Sequence, residues 1–147
     1  MNKLEYVLSK VDPDKVLHMV HRRDDFLMQE SRKDIIPDNH FIQLSTLRME
    51  KGKTFRPHKH IWKPGPAECI AQESWVVVSG SVKVFFYDLD DTLLYTAKLK
   101  PGDASITLEG GHTYEILSDE TLVYEYKTGP YQGQALDKVF IDETGDY

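Results

Sequence analysis

Glu73-Ser74-Trp75-Val76-Val77-Val78-Ser79-Gly80-Ser81-Val82-Lys83-Val84-Phe85-Phe86-Tyr87 contains two apolar, β-branched and aromatic runs separated by a glycine. Each run is too short for a helix of ordinary length, and the pair reads as two strands joined by a tight turn. The same rhythm continues outward in both directions. Downstream come Leu93–Leu99, stopped at Pro101-Gly102, then Ala104–Leu108, stopped at Gly110-Gly111. His112–Leu117, Leu122–Lys127 and a last candidate at Val139–Ile141 follow. Upstream, Phe41–Met49 and residues 54–61 read as strands flanking Gly52, and Pro64-Gly65-Pro66 makes 62–71 a loop. Short strands at spacings of about 8–12 residues predict an all-β sandwich or barrel.

The first forty residues read differently. Pro13 suits a first helical position, Asp12 an N-cap, and Val16, Leu17, Val20 and His21 recur at helical steps. A short helix over 13–23 is therefore expected, followed by a charged loop or frayed helix over 24–40. The expected division is an N-terminal helical extension, 1–40, and a β-domain, 41–147, within one structural domain.

Composition limits the function. The chain has 147 residues, 18 Lys plus Arg against 24 Asp plus Glu, and a net charge of −6. An acidic chain without a basic block is poorly suited to phosphate backbones, so no nucleic-acid partner is expected. No apolar run reaches the roughly 18 residues of a membrane span, and none is expected to enter a bilayer. The single cysteine, Cys69, and a start without an apolar signal core lead to the expectation of a reducing cytoplasm.

Six histidines are present. His58 and His60 stand at i and i+2 of a strand candidate, which turns both imidazoles to one face, as a pair of metal ligands requires. Around them, Gly52 precedes His58 by six positions, Glu73 precedes Gly80 by seven, and Gly102, Gly110 and His112 follow. On these residues the chain resembles the cupin superfamily, the small double-stranded β-helix jelly rolls. Gly52, His58, His60, Glu73 and Gly80 fill the first motif of that family, G-x5-H-x-H-x3-4-E-x6-G. The twelve residues between His60 and Glu73 exceed the usual three or four, so a loop is inserted. Gly102, Gly110 and His112 fill part of the second motif, with Leu108 in place of the proline and no asparagine after His112. Segments such as Gln72–Val77, Phe86–Asp90, Gly110–His112 and Lys127–Tyr131 resemble small cupins encoded among bacterial surface-polysaccharide genes.

The resemblance implies a divalent transition metal held by His58, His60, Glu73 and His112. Three nitrogen donors and a carboxylate suit Fe, Mn, Ni, Zn or Cu. Alternation then places Trp75 beside Glu73 and Tyr114 beside His112 on the interior face. A two-residue loop at Asp119-Glu120 pairs Tyr114 with Glu125 and turns that carboxylate inward as a candidate catalytic base; a loop one residue longer turns it outward. Tyr114 is the second candidate for moving a proton. Arg56, two positions before His58, reads as a clamp for a substrate anion or as a rim salt bridge. Trp62 reads as a sugar-stacking platform or a loop anchor. Trp75 completes the substrate-binding set. Cys69 reads as inert, and His18, His21 and His40 as structural or solvated. Tyr124 and Tyr126 suggest a face between sheets that, in cupins, often meets a second subunit, so a homodimer is expected.

The expected function is that of a metal-binding cupin acting on a small oxygen-rich molecule. A sugar or nucleotide-sugar, through isomerisation or epimerisation with the metal as Lewis acid, heads the list. An Fe(II)-dependent dioxygenase and a non-catalytic small-molecule-binding barrel are the alternatives.

Overall fold

The computed structural model describes residues 4–65 and 69–142; positions 66–68, inside the expected 62–71 loop, lie outside the described residues. Its strands are β1 (Glu5–Leu8), β2 (Val16–Val20), β3 (Arg32–Asp34), β4 (Ile42–Met49), β5 (His58–His60) and β6 (Glu73–Ser79). They continue with β7 (Val82–Tyr87), β8 (Leu93–Leu99), β9 (Ala104–Thr107), β10 (Gly111–Ile116), β11 (Thr121–Thr128) and β12 (Lys138–Phe140).

Two five-stranded antiparallel sheets face each other, ordered β12-β5-β10-β7-β8 and β3-β4-β11-β6-β9. From β4 to β11 the chain passes repeatedly from one sheet to the other, which winds the two sheets into one double-stranded helix of strands. Alternation fills the space between them. Trp75 and Val77 of β6, Val82 and Val84 of β7, Tyr114 and Ile116 of β10, and Leu47 and Val123 are all buried there. Each such aliphatic side chain contributes roughly 1.5–3 kcal/mol by leaving water. Gly80 makes the β6–β7 turn possible. Its φ is +81°, and a Cβ there would lie 2.3 Å from Thr121 Oγ1.

The N-terminal segment corrects the helical expectation for 13–23. Val16–Val20 is a strand paired antiparallel with β1, and the helical turn that follows is a short 3-10 segment, Arg23–Met28. Val16, His18 and Val20 also alternate with Leu17 and Met19, and β-branched residues fit a ribbon better than a helix. The 24–40 stretch contributes β3, which joins the edge of a main sheet beside β4. Phe26 is fully buried and packs edge-on against Tyr124, while His21 Nδ1 lies 2.7 Å from Tyr124 Oη. The N-terminal segment thus covers Tyr124, one of the two tyrosines expected at a subunit contact.

The expected β10–β11 hairpin is absent as well. β10 pairs with β5 and β7, and β11 pairs with β4 and β6. The Ser118–Glu120 turn carries the chain from one sheet to the other instead of folding it back in plane.

Candidate metal centre

β5 and β10 lie side by side, with His112 directly opposite His58. Directly opposed residues share a face, so the two imidazoles meet. His60 follows at i+2 on the same face. Glu73 enters from β6, in the opposite sheet. One donor atom from each of His58, His60, Glu73 and His112 lies within 4.8 Å of every other. His58 Nε2 is 3.2 Å from His112 Nε2, His60 Nε2 is 3.0 Å from Glu73 Oε2, and His112 Nε2 is 3.6 Å from Glu73 Oε1.

The far nitrogen of each ring faces an oxygen. His58 Nδ1 donates to the Arg56 carbonyl at 3.2 Å, and His112 Nδ1 contacts Thr107 Oγ1 at 2.7 Å. His60 Nδ1 lies 3.4 Å from Asp137 Oδ2, a little long for a well-formed hydrogen bond. A carbonyl only accepts, so the proton of neutral His58 resides on Nδ1 and its Nε2 lone pair points at the centre. Outer oxygens that fix ring orientation in this way are the usual support of metal-bound histidine.

Electrostatics agree with a cation at this point. Burial, followed by the charges of His112 and Lys138, holds the His58 pKa down to about 4. Burial likewise lowers His112. Burial also opposes a charge on His60, but Asp137 and Glu73, one at each nitrogen, outweigh it and lift its pKa to about 9. Glu73 is held well below the carboxylate range by His112 and His60 in spite of its burial. Without an ion, His60 is the one imidazole of this set that favours a second ring proton; a bound metal would take the place of that proton. The residues therefore fit a divalent transition ion: three neutral imidazoles, one carboxylate and an outer shell of oxygens.

A cavity of about 370 Å³ opens above the cluster, lined by His58, Glu73, Trp75, Tyr114 and Glu125 and by the cations Arg32, Lys127 and Lys138. Glu125 faces this interior, but through a different neighbour from the one the hairpin expectation supposed. Its register partners are Trp75 of β6 and Ser45 of β4, and Tyr114 lies in the opposite sheet. Trp75 Nε1 donates to Glu125 Oε2 at 2.9 Å and to Glu73 Oε1 at 3.2 Å, so one indole N–H joins the ligand carboxylate to the second buried one. Arg32 Nη2 donates to Glu125 Oε1 at 2.8 Å. Burial and the Glu73 charge raise the Glu125 pKa against the pull of Arg32. Tyr114 stacks on Trp75, with ring centroids 3.7 Å apart, and its hydroxyl lies 2.9 Å from Ser105 Oγ. Burial raises its pKa well above the usual value.

Two of the expected residues stand elsewhere. Arg56 lies over the Phe140 ring at 4.1 Å, near Asp142, and lines a separate cavity of about 600 Å³ with Phe85 and Tyr87. Pro57 precedes a strand that begins only at His58, so alternation does not carry back to Arg56. Trp62 is exposed and donates to Glu109 Oε1 at 3.2 Å, tying the inserted loop to the turn before β10. Asp137, Thr107, Arg32, Lys127 and Lys138 are the site residues that sequence reasoning missed. Only strand register identifies the lysines, and nothing in the local sequence marks Asp137.

No family model matches the sequence, and no curated protein matches it. Solved structures do. An uncharacterised conserved protein with a double-stranded β-helix domain from Klebsiella pneumoniae superposes with a TM-score of 0.60 at 14% identity, covering 84% of this chain and 97% of that one. The capsular polysaccharide assembling protein CapF of Staphylococcus aureus gives 0.61 at 19% identity over 76% of this chain, which spans only 31% of CapF. KdgF from Halomonas gives 0.54 at 20% identity over 69% of this chain and 80% of its own. The paired five-stranded sheets, the alternation of the chain between them and these neighbours together show that the chain has the double-stranded β-helix fold of the cupin jelly rolls.

Proposed function

We propose that this protein is a metal-dependent enzyme that shifts a proton within a small oxygen-rich molecule, in the manner of an isomerase or epimerase. One observation carries the reading: a four-donor cluster and a second buried carboxylate, Glu125, border the same cavity and share the Trp75 N–H. An ion held by His58, His60, Glu73 and His112 supplies Lewis acidity toward a carbonyl or hydroxyl oxygen. Glu125 takes a proton from the carbon beside that oxygen and returns it to a neighbouring position. Its pKa, raised by burial and by the Glu73 charge, makes it a stronger base than an ordinary carboxylate. Trp75 and Arg32 hold the two Glu125 oxygens in place, and Tyr114 supports the Trp75 ring from below. A saccharide is the first substrate class to test, because a neighbour of the same fold is described as capsular polysaccharide assembling. The homodimer expected from the sequence belongs to the same reading and is measured by light scattering.

The test is proton exchange. Metal-loaded protein is incubated with hydroxy-aldehydes and keto-sugars in D2O, and deuterium at carbon is followed by NMR. The expected outcome is incorporation that falls by about 10²–10⁴-fold in Glu125→Gln while metal content is retained. Equal incorporation in the variant would remove Glu125 from the reaction. A chain that takes up no ion, with His60→Ala indistinguishable from it, would overturn the metal assignment.

A further inference from the structure

The cavity above the cluster has a charge pattern that the metal reading leaves unused. Strand register places two lysines next to metal donors. Lys138 of β12 stands opposite His60 of β5, and Lys127 of β11 stands opposite Glu73 of β6. Opposed residues of an antiparallel pair share a face, so both side chains belong to the interior, and both line the cavity. Their situations differ. Lys127 Nζ lies 3.3 Å from Asp137 Oδ2. Arg32, the third cation of the lining, is committed to Glu125 and Asp34 at 2.8 and 2.9 Å. Lys138 makes no ion pair or hydrogen bond with another described residue, and its ammonium group lies 5.8 Å from the centre of the Phe140 ring. It is half-buried, so a partly desolvated positive charge stands beside the donor cluster without an ion-pair partner among the described residues.

We propose that the cavity takes a small monoanion, a carboxylate bearing an adjacent hydroxyl or carbonyl oxygen, with Lys138 as the anchor of the carboxylate. The proposal rests on the metal reading for the role of the second oxygen, which reaches the cluster from the anchored end. Size and charge narrow the class. About 370 Å³ is near the lower end of the roughly 300–1,000 Å³ of small-molecule sites, which suits a sugar acid or smaller acid better than a nucleotide-sugar. Asp34, Asp38 and Glu125 line the same cavity and oppose a diphosphate or a phosphate dianion. One ammonium group uncommitted among the described residues matches a single negative charge.

Matched probes test this by calorimetry: D-gluconate against D-glucitol, D-glycerate against glycerol, and D-glucose 6-phosphate as the phosphate counterpart. Each is titrated into the full chain with and without added ion, and ion content is measured on every sample. The expected result is that each acid binds at least about tenfold tighter than its neutral partner, the scale of a hydrogen bond to a charged group. Lys138→Met erases that preference, and Lys138→Arg retains most of it while showing that the position tolerates change. Acids no tighter than alcohols, or a preference that survives in Lys138→Met, would overturn the anchor. Tightest binding of the phosphate would overturn the carboxylate assignment. Failure of the metal reading looks different: the chain holds no ion, yet the acid preference and its dependence on Lys138 persist.

Discussion

Asp137 shows how a residue standing behind a metal-donor histidine sets the state of the site. Its side chain is almost wholly buried, faces His60 Nδ1 at 3.4 Å with one oxygen and leaves the other, Oδ1, without a hydrogen bond among the described residues. His60 and Lys127 hold its pKa down to about 2 in spite of burial, so it stays ionised behind the histidine. An anionic acceptor there increases the basicity of the donor nitrogen on the opposite side of the ring. Asp137→Asn keeps an acceptor but removes the charge. The expected outcome is a fall of about 10–100-fold in metal affinity, measured by competition with a chelator, with the fold intact by circular dichroism. Unchanged affinity would show that Asp137 orients Lys127 alone. At this scale the four donors were legible from the sequence, because their spacing matches a motif and strand alternation fixes their face. Asp137 was not, because it comes from a short 3-10 turn with no periodicity to reveal its direction.

At the scale of elements, alternation read most strands correctly, and the failures share a cause. A five-residue segment such as Val16–Val20 satisfies helical and strand periods alike, and partner strands decide between them. The β10–β11 connection failed for a related reason: a three-residue turn signal does not say whether the chain returns in its own sheet or crosses to the other. Glu125 nonetheless reached the interior, because β11 follows its own alternation whichever strand lies beside it. The segment that replaces the expected helix makes a testable contact. His21 is packed against Phe26 and Tyr124, with Asp25 and Lys33 as its charged neighbours, and its Nε2 is buried without a hydrogen bond among the described residues. Burial lowers its pKa below the usual 6.5 despite Asp25. The unfolded chain therefore binds the proton more readily. The stability held above about pH 6.5 is lost as the pH falls from there toward the folded-state value. In His21→Gln the stability difference from the parent should shrink as the pH drops below about 6.5, read from urea midpoints at several pH values. A difference constant between pH 5 and 7.5 would place the His21 pKa at its ordinary value.

For the whole molecule, the position of the cluster would give a bound ion a second role. His58, His60 and His112 belong to one sheet and Glu73 to the other, so a bound ion joins the two layers of the sandwich. The hydrophobic contacts between the layers lie mainly toward Trp75, Val77, Val84 and Ile116, and the metal end is filled by polar side chains instead. With an ion bound, that end would draw on it for cohesion more than the apolar end does. An ion that binds the folded chain alone stabilises it by roughly 2.7 kcal/mol at a free concentration of one hundred Kd. Since 1 kcal/mol moves the Tm of a domain of this size by about 2–4 °C, chelation should lower the Tm by roughly 5–10 °C. His60→Ala should start near the chelated value and show no further drop. Hydrogen exchange should then rise first in β5, β10 and the start of β6, the strands that carry the donors, and least in β7. Equal melting with and without chelator in ion-loaded protein would mean that the layers are held by packing alone. The cluster would then be a polar floor to the cavity and not a joint between the sheets.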